Sequence, residues 1–220
     1  MSGMATTLTG RQIADAGLTG WIHLGDGLRT RFVTGDFATG LALVDSVAAA
    51  AEAAGHHPDL DLRYGYVDVR LVSHDAGGTT QRDVDLARTI TALAADAGLA
   101  PDGAGLTRFE LVLDSPDHAP LLPFWQAFLG YRGGPEGDDL EDPEARVPDV
   151  WFQPSGDEEP RQRWHLDVWL DPDAVPARLE AALAAGGTLV DDSSAPAYWV
   201  LADAEGNRSC LCTWHGRADG

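Results

Sequence analysis

Gly55-His56-His57-Pro58-Asp59, then Ser73-His74-Asp75, then Thr80-Gln81-Arg82-Asp83, is the stretch on which the reading of this chain turns. Three of its seven histidines fall within these nineteen positions, 56 to 74. Between them, residues 62–73 alternate, with Val67, Val69 and Leu71 on one side and Tyr64, Tyr66, Asp68 and Arg70 on the other. That period of two predicts one strand of an antiparallel sheet with helices on a single face. His56 and His57 then stand at the strand's start and His74 at its exit. Upstream, Asp36 is placed to cap a helix over 37–54. Its apolar residues Leu41, Val44, Val47 and Ala48 recur at helical spacing, and Gly55 supplies the stop. Further upstream, residues 21–34 read as two short extended pieces joined at Gly25-Asp26-Gly27, a hairpin turn. Downstream, Thr80-x-x-Asp83 opens a helix as a capping box with Asp in place of Glu. Val84, Leu86, Ala87, Ile90 and Leu93 form its apolar side and Gly98 ends it.

An imidazole titrates near neutrality, so clustered histidines point to proton transfer. Composition narrows the alternatives. Thirty-five acidic residues face 15 basic ones, a formal charge of −20 that repels phosphate backbones and anionic lipid and argues against nucleic-acid or membrane partners. All 15 basic residues are Arg, which removes Schiff-base chemistry and the P-loop lysine. No apolar run approaches the roughly 20 residues of a membrane helix, and residues 1–20 lack the form of a secretory signal. Cys210 and Cys212, one residue apart, are too close in an extended segment to bridge and are read as thiols in a reducing compartment. The expectation is a cytoplasmic protein.

At 220 residues the chain accommodates two domains. A linker is placed at 99–106, dividing a domain over 1–98 from one over 107–220. In the second half a pattern occurs twice. Glu110 to Asp117, a helix through Phe124, Trp125 and Phe128, and Gly130 are echoed by His165 to Asp173, a helix through Leu179 and Leu183, and Gly186. Asp117 and Asp173 are 56 positions apart, as are Gly130 and Gly186, while Glu110 and His165 are 55 apart, so a single gap aligns the copies. Strand parity puts His165, Asp167 and Trp169 on one face, with Glu110 and Val112, and Cys210, Cys212 and Trp214, at the matching alternate positions.

Trp21, the helix start at Phe37, Ala51-Glu-Ala-Ala-Gly-His-His-Pro-Asp59, Tyr64, Val67, Ser73-His-Asp75, Gly78-Thr-Thr80 and Asp83-Val-Asp-Leu-Ala87 together resemble the pterin-4a-carbinolamine dehydratases, from about Thr9 to Gly98. Leu60 replaces the familiar aromatic after the Pro-acid pair, and Gly65 an Asn often found after the Tyr. The resemblance implies an α+β domain with a four-stranded antiparallel sheet covered on one face by helices, assembled as a homo-oligomer (dimer or tetramer). It implies dehydration of a 4a-hydroxytetrahydropterin to the quinonoid dihydropterin, regenerating the cofactor of aromatic amino acid hydroxylases, with no metal or redox cofactor required. His57 and His74 are the acid/base pair on this reading, with His56 shaping the site and stabilising charge. Pro58 and Asp83 are placed at the substrate. Asp83 has three open roles: orienting an imidazole, binding the pterin ring, or only capping its helix.

The duplicated unit, Phe124-Trp-Gln-Ala-Phe-Leu-Gly130 and the ending Asp203-Ala-Glu-Gly-Asn-Arg-Ser-Cys210 resemble the glyoxalase/bleomycin-resistance/extradiol-dioxygenase superfamily over about Thr107 to Trp214. That implies paired βαβββ modules forming a cupped sheet. In metal-binding relatives the first strand of each module and the last strand supply ligands. Here those positions are Glu110, His165 and Cys210, with Gln153 a fourth, and Cys210 stands where a Glu is usual. A divalent metal on Glu110, His165 and Cys210 is one expectation. A metal-free pocket of Glu110, His165, Asp167, Trp169, Trp214 and Cys210 for a small planar or apolar ligand is the other. The rival to the dehydratase is an enzyme or small-molecule binder acting through the second domain, with the first as a non-catalytic oligomerisation module.

Overall fold

The computed structural model describes residues 6–134, 136–156, 163–202, 206 and 208–217, apart from the side chains of Phe124 and Phe128. The two Phe side chains of the predicted helix, and 203–205 and 207 of the predicted ending motif, lie outside the described residues. The chain divides into two units, Met1–Leu106 with Thr213–Gly220, and Thr107–Cys212.

In the first unit the chain order is α1 (Gly10–Asp15), β1 (Ile22–His23), β2 (Leu28–Val33), α2 (Phe37–Ala54), β3 (Asp59–Arg63), β4 (Tyr66–Leu71), a 3-10 turn (His74–Ala76), α3 (Gln81–Asp96) and β5 (Pro101–Asp102). The sheet runs β1-β2-β4-β3, with β5 also beside β2 and every pair antiparallel. Phe32, Val67, Val69 and Leu71 from the sheet meet Leu43 and Val47 of α2 and Val84, Ala87 and Ile90 of α3 in one core. Each large aliphatic or aromatic side chain buried there contributes roughly 1.5–3 kcal/mol.

Three expectations change. The predicted strand over 62–73 is half of a hairpin. Asp59–Arg63 runs out, the chain turns at Tyr64-Gly65, and Tyr66–Leu71 returns with Asp59 opposite Arg70. The carbonyl of Gly65 accepts the Thr34 and Gly35 amides, which anchors the turn. The buried stripe of α2 is Gly40, Leu43, Val47 and Ala51, and Leu41 is exposed. Gly40 suits that face: a Cβ there would lie 2.6 Å from Leu62 Cδ1 and make that side chain shift. Its 18 residues are long and apolar enough to cross a membrane by length and composition alone, yet Leu43, Val47 and Ala51 are spent on the domain core. Lastly, the stretch read as a linker contributes β5, where Pro101 and Asp102 pair with Phe32 and Arg31. Proline is acceptable there because a sheet edge leaves its missing donor unneeded.

The terminal segment also belongs to the first unit. Trp214 lies against Gly10 at the start of α1, so close that a Cβ at position 10 would come 2.7 Å from its ring. The strand expected to carry Trp214 stops at Cys212, and this indole is therefore absent from the second unit's sheet.

The second unit contains β6 (Arg108–Ser115), α4 (Leu122–Leu129), β7 (Arg132–Gly133), β8 (Asp139–Glu141) and β9 (Val150–Pro154). A second set follows: β10 (Trp164–Trp169), a 3-10 turn (Pro172–Ala174), α5 (Val175–Ala184), β11 (Thr188–Asp191), β12 (Tyr198–Ala202) and β13 (Arg208–Cys212). The sheet order β11-β12-β13-β10-β6-β9-β8-β7 reads the same outward from its centre. In each half the first strand pairs parallel with the last, and β6 meets β10 antiparallel with Leu111 opposite Leu166. Those two residues are 55 apart, like Glu110 and His165, so the repeat in sequence is a pseudo-twofold axis in space. Leu113, Val150 and Phe152 pack with Leu121, Leu122 and Trp125 around α4, and Val168 and Leu211 with Val175 and Leu179 around α5. The opposite face carries the polar residues.

Candidate functional site

The first-unit site is organised by one carboxylate. Asp83, at the third position of α3, is fully buried. Its Oδ1 accepts from His56 Nε2 at 2.7 Å, and its Oδ2 accepts from Ser73 Oγ at 2.7 Å and the Thr80 amide at 2.7 Å. Thr80 Oγ1 is 2.8 Å from Ser73 Oγ and also donates to Asp83 Oδ2 at 3.3 Å. Thr80 Oγ1 in turn accepts the Arg82 amide at 3.2 Å, and the two halves of the capping box are complete. An anion removed from water is tolerated only when its lone pairs are occupied in this way.

This arrangement bears directly on the three histidines. His56, 8% exposed, is clamped through Nε2, which fixes the ring's orientation and carries the proton toward Asp83. His57 follows it immediately and is exposed, with Nε2 3.2 Å from Glu52 Oε1 in the last turn of α2. Ser73, clamped on the other oxygen of Asp83, is followed immediately by His74, exposed at the start of the 3-10 turn. Consecutive Cα atoms are about 3.8 Å apart, so the two exposed imidazoles emerge one residue from groups that share one carboxylate. A single extended strand would have set residues 58 and 73 roughly 50 Å apart at about 3.3 Å per residue. The hairpin at Tyr64-Gly65 brings them to the same end of the sheet.

Asp83 was expected among the substrate-binding residues. Both its oxygens accept hydrogen bonds, from His56, Ser73 and the Thr80 amide, it is fully buried, and it caps its helix. Pro58 is half-buried between His57 and β3. Arg82 reaches Asp75 at 2.5 Å, and this hydrogen bond, with a smaller contribution from the charge of His56, holds the Asp75 carboxyl below the usual range. Ser73 and Glu52 were not singled out from the sequence as site residues. The capping-box spacing marked Thr80 and Asp83, but nothing in the pattern marks a serine seven residues before Thr80.

In the second unit the open face carries Glu110, Val112 and Asp114 of β6, His165, Asp167 and Trp169 of β10, and Cys210 and Cys212 of β13. Both cysteines keep their thiols. Glu110 is committed elsewhere than expected: Arg108 Nη2 donates to its Oε1 at 2.7 Å and Trp169 Nε1 to its Oε2 at 2.8 Å. Arg108 also holds Asp149 at 3.0 Å, whose carboxyl is pushed up by burial against the pull of Arg108. His165, Asp167 and Cys210 converge instead, each offering one donor atom within 4.8 Å of the others. Gln153 sits on β9 opposite Asp114. Of the expected Glu110, His165 and Cys210, Glu110 is held by Arg108 and Trp169, while His165 and Cys210 lie beside Asp167.

Residues 6–93 match the family model for pterin 4 alpha carbinolamine dehydratase, and residues 110–212 that for a glyoxalase-like domain. A protein of Roseiflexus sp. (strain RS-1), bearing a provisional pterin-4-alpha-carbinolamine dehydratase name, is 47% identical over 89 residues, 40% of this chain and 96% of the relative. One of Nocardia farcinica with the same name is 48% identical over 89 residues, 40% of this chain and 94% of its own. A solved transcriptional coactivator/pterin dehydratase from Brucella melitensis is 31% identical, covering 40% of this chain and 99% of its own, with a TM-score of 0.39. With such relatives spanned almost end to end at close to half identity, the chain belongs through its first unit to the pterin-4a-carbinolamine dehydratase family, while its second unit is similar to a glyoxalase-like domain over residues 110–212.

Proposed function

We propose that the chain dehydrates a 4a-hydroxytetrahydropterin to the quinonoid dihydropterin at the histidine cluster of its first unit. The observation that supports the reading is the Asp83 clasp, which ties His56 and Ser73 to one carboxylate, His57 and His74 being the next residue after each. Elimination of water needs two proton transfers. One imidazolium gives a proton to the 4a-hydroxyl as the C4a–O bond breaks. The other, neutral, imidazole takes the proton of N5, and the electrons of that N–H bond form the C4a=N5 double bond. His57 and His74 are exposed, and an imidazole can serve as either acid or base in these roles. His56, locked by Asp83, shapes the site and faces the developing charge. No metal or redox group enters this chemistry, and the family resemblance adds a homo-oligomeric assembly in the cytoplasm.

Stopped-flow turnover of 4a-hydroxytetrahydropterin tests the reading. His57→Ala and His74→Ala are each expected to slow it at least about a hundredfold, the ordinary scale for losing an acid or base, equivalent to about 2.7 kcal/mol of transition-state stabilisation. Wild-type turnover no faster than spontaneous dehydration sinks the proposal.

A further inference from the structure

Gly10, the first residue of α1, is not in the left-handed region, so its backbone gives no reason for glycine. Glycine is also among the poorest residues for a helix. The reason is steric. A Cβ there would lie 2.7, 3.1 and 3.4 Å from Cε3, Cδ2 and Cγ of Trp214, so the indole rests directly against bare backbone. A closed turn presents that indole. Thr213, fully buried, accepts the His215 amide on its Oγ1 at 3.1 Å and Arg217 Nε on its carbonyl at 3.0 Å, and the Arg217 amide reaches the Trp214 carbonyl at 3.4 Å.

With six residues, α1 is well under the roughly 12–15 that an isolated helix needs in water, so tertiary contacts hold it. Ile13 anchors its middle in the core, Arg88 Nη2 of α3 donates to the Ala16 carbonyl at its far end at 3.1 Å, and Trp214 covers its start. Just before that start, the chain runs along the wall of the histidine site. The Leu8 amide donates to the Thr79 carbonyl at 2.7 Å, and Thr7 pairs antiparallel with Thr80. Thr80 gives its amide to Asp83, and Gly78 pairs with Ser73, which donates to the same carboxylate. Residues 7–8 therefore back the segment 78–80 on which the Asp83 clasp is built.

We propose that Trp214 is a positioning residue for the histidine site. By pinning the start of α1 it holds residues 7–8 against 79–80, and so keeps Thr80, Asp83 and His56 in place. The kinetic consequence rests on the dehydratase reading, whereas the brace itself does not. Small displacements matter in such a site, since a shift of about 1 Å in a catalytic group costs up to about a hundredfold in rate.

The test uses the full chain. Backbone hydrogen exchange is followed in wild type, Trp214→Ala and Trp214→Phe, beside turnover of 4a-hydroxytetrahydropterin. In Trp214→Ala the Leu8 and Thr80 amides are expected to speed up at least about tenfold more than the strand amides of β4. The kcat is expected to fall roughly tenfold with KM within about twofold of wild type, the pattern of lost alignment and not of lost binding. Trp214→Phe, with a smaller ring against Gly10, is expected to fall between the two on both readouts, and it decides if the alanine variant fails to fold. Equal acceleration at Leu8, Thr80 and β4 makes Trp214 a general packing residue and overturns the proposal, as does an unchanged kcat beside loosened amides. A wild type without turnover whose amides still respond in this way sinks the dehydratase reading and leaves the brace standing.

Discussion

His56 and His165 each have a ring nitrogen facing an aspartate, yet the two surroundings differ in kind. At His56 the carboxylate is fully enclosed, its oxygens take contacts of 2.7 Å from three separate donors, and the same group caps α3. At His165 two carboxylates stand off at 3.5 and 3.7 Å with a thiol beside them. Short, saturated contacts leave no coordination to offer and serve to hold a ring still.

The largest effect that would break this contrast is on stability. Asp83→Ala strands His56, Ser73 and the Thr80 amide in a buried site and is expected to cost about 2–4 kcal/mol. Asp114→Ala, whose part-exposed carboxylate faces His165 at 3.5 Å, is expected to cost less than Asp83→Ala. Urea unfolding of both variants measures the difference, and equal losses would erase the distinction between the two histidines.

Next in size is the contact of the terminal segment with α1. Gly10→Ala pushes a methyl into the Trp214 ring, an overpacking cost of roughly 1–3 kcal/mol, offset by up to about 1 kcal/mol of helix propensity. A net loss of about 1 kcal/mol is expected by thermal unfolding. It should vanish in Trp214→Ala, and a Gly10→Ala variant as stable as wild type would show that the packing is loose.

A smaller effect separates the units by pH. Burial lowers the pKa of His23, against the pull of its contact with the Gly27 carbonyl and the charge of Asp26. The unfolded chain then binds the extra proton more readily than the folded one, so stability is full above the unfolded value of 6.5 and falls as pH drops through it. His23→Gln should flatten the stability profile between about pH 7 and 5 relative to wild type; an unchanged slope would remove His23 as its cause. The smallest expected effect is none: chelator treatment should leave pterin turnover unaltered, and a fall restored by zinc would tie the dehydratase to a metal.

Much of the first unit was legible because its signals are local. Asp36 caps α2 and Gly55, at φ 59°, ends it, as the pattern proposed, since a cap depends on residues within one turn. The buried face of α2 was misread by counting apolar residues. Exposed Leu41 outscores Gly40 on any hydrophobicity scale, yet Gly40 is the buried one, and a Cβ there would make the Leu62 side chain shift. The hairpin was missed for a similar reason: Tyr64-Gly65 interrupts no alternation, and a strand passing through it reads as well as a turn.

Residue chemistry and spacing were enough to nominate His56, His57, His74 and Asp83, to find the duplication, and to place His165, Asp167 and Cys210 on one face, because composition and period act at short range. Which of these groups meet was decided in three dimensions. Asp83 is shared by residues 27 positions before it and 10 before it, Asp167 reaches Cys210 through strand register, and Glu110 is drawn away by Arg108 and Trp169. Such choices depend on competition between partners distant in sequence for the same buried lone pairs, and only the folded chain settles them.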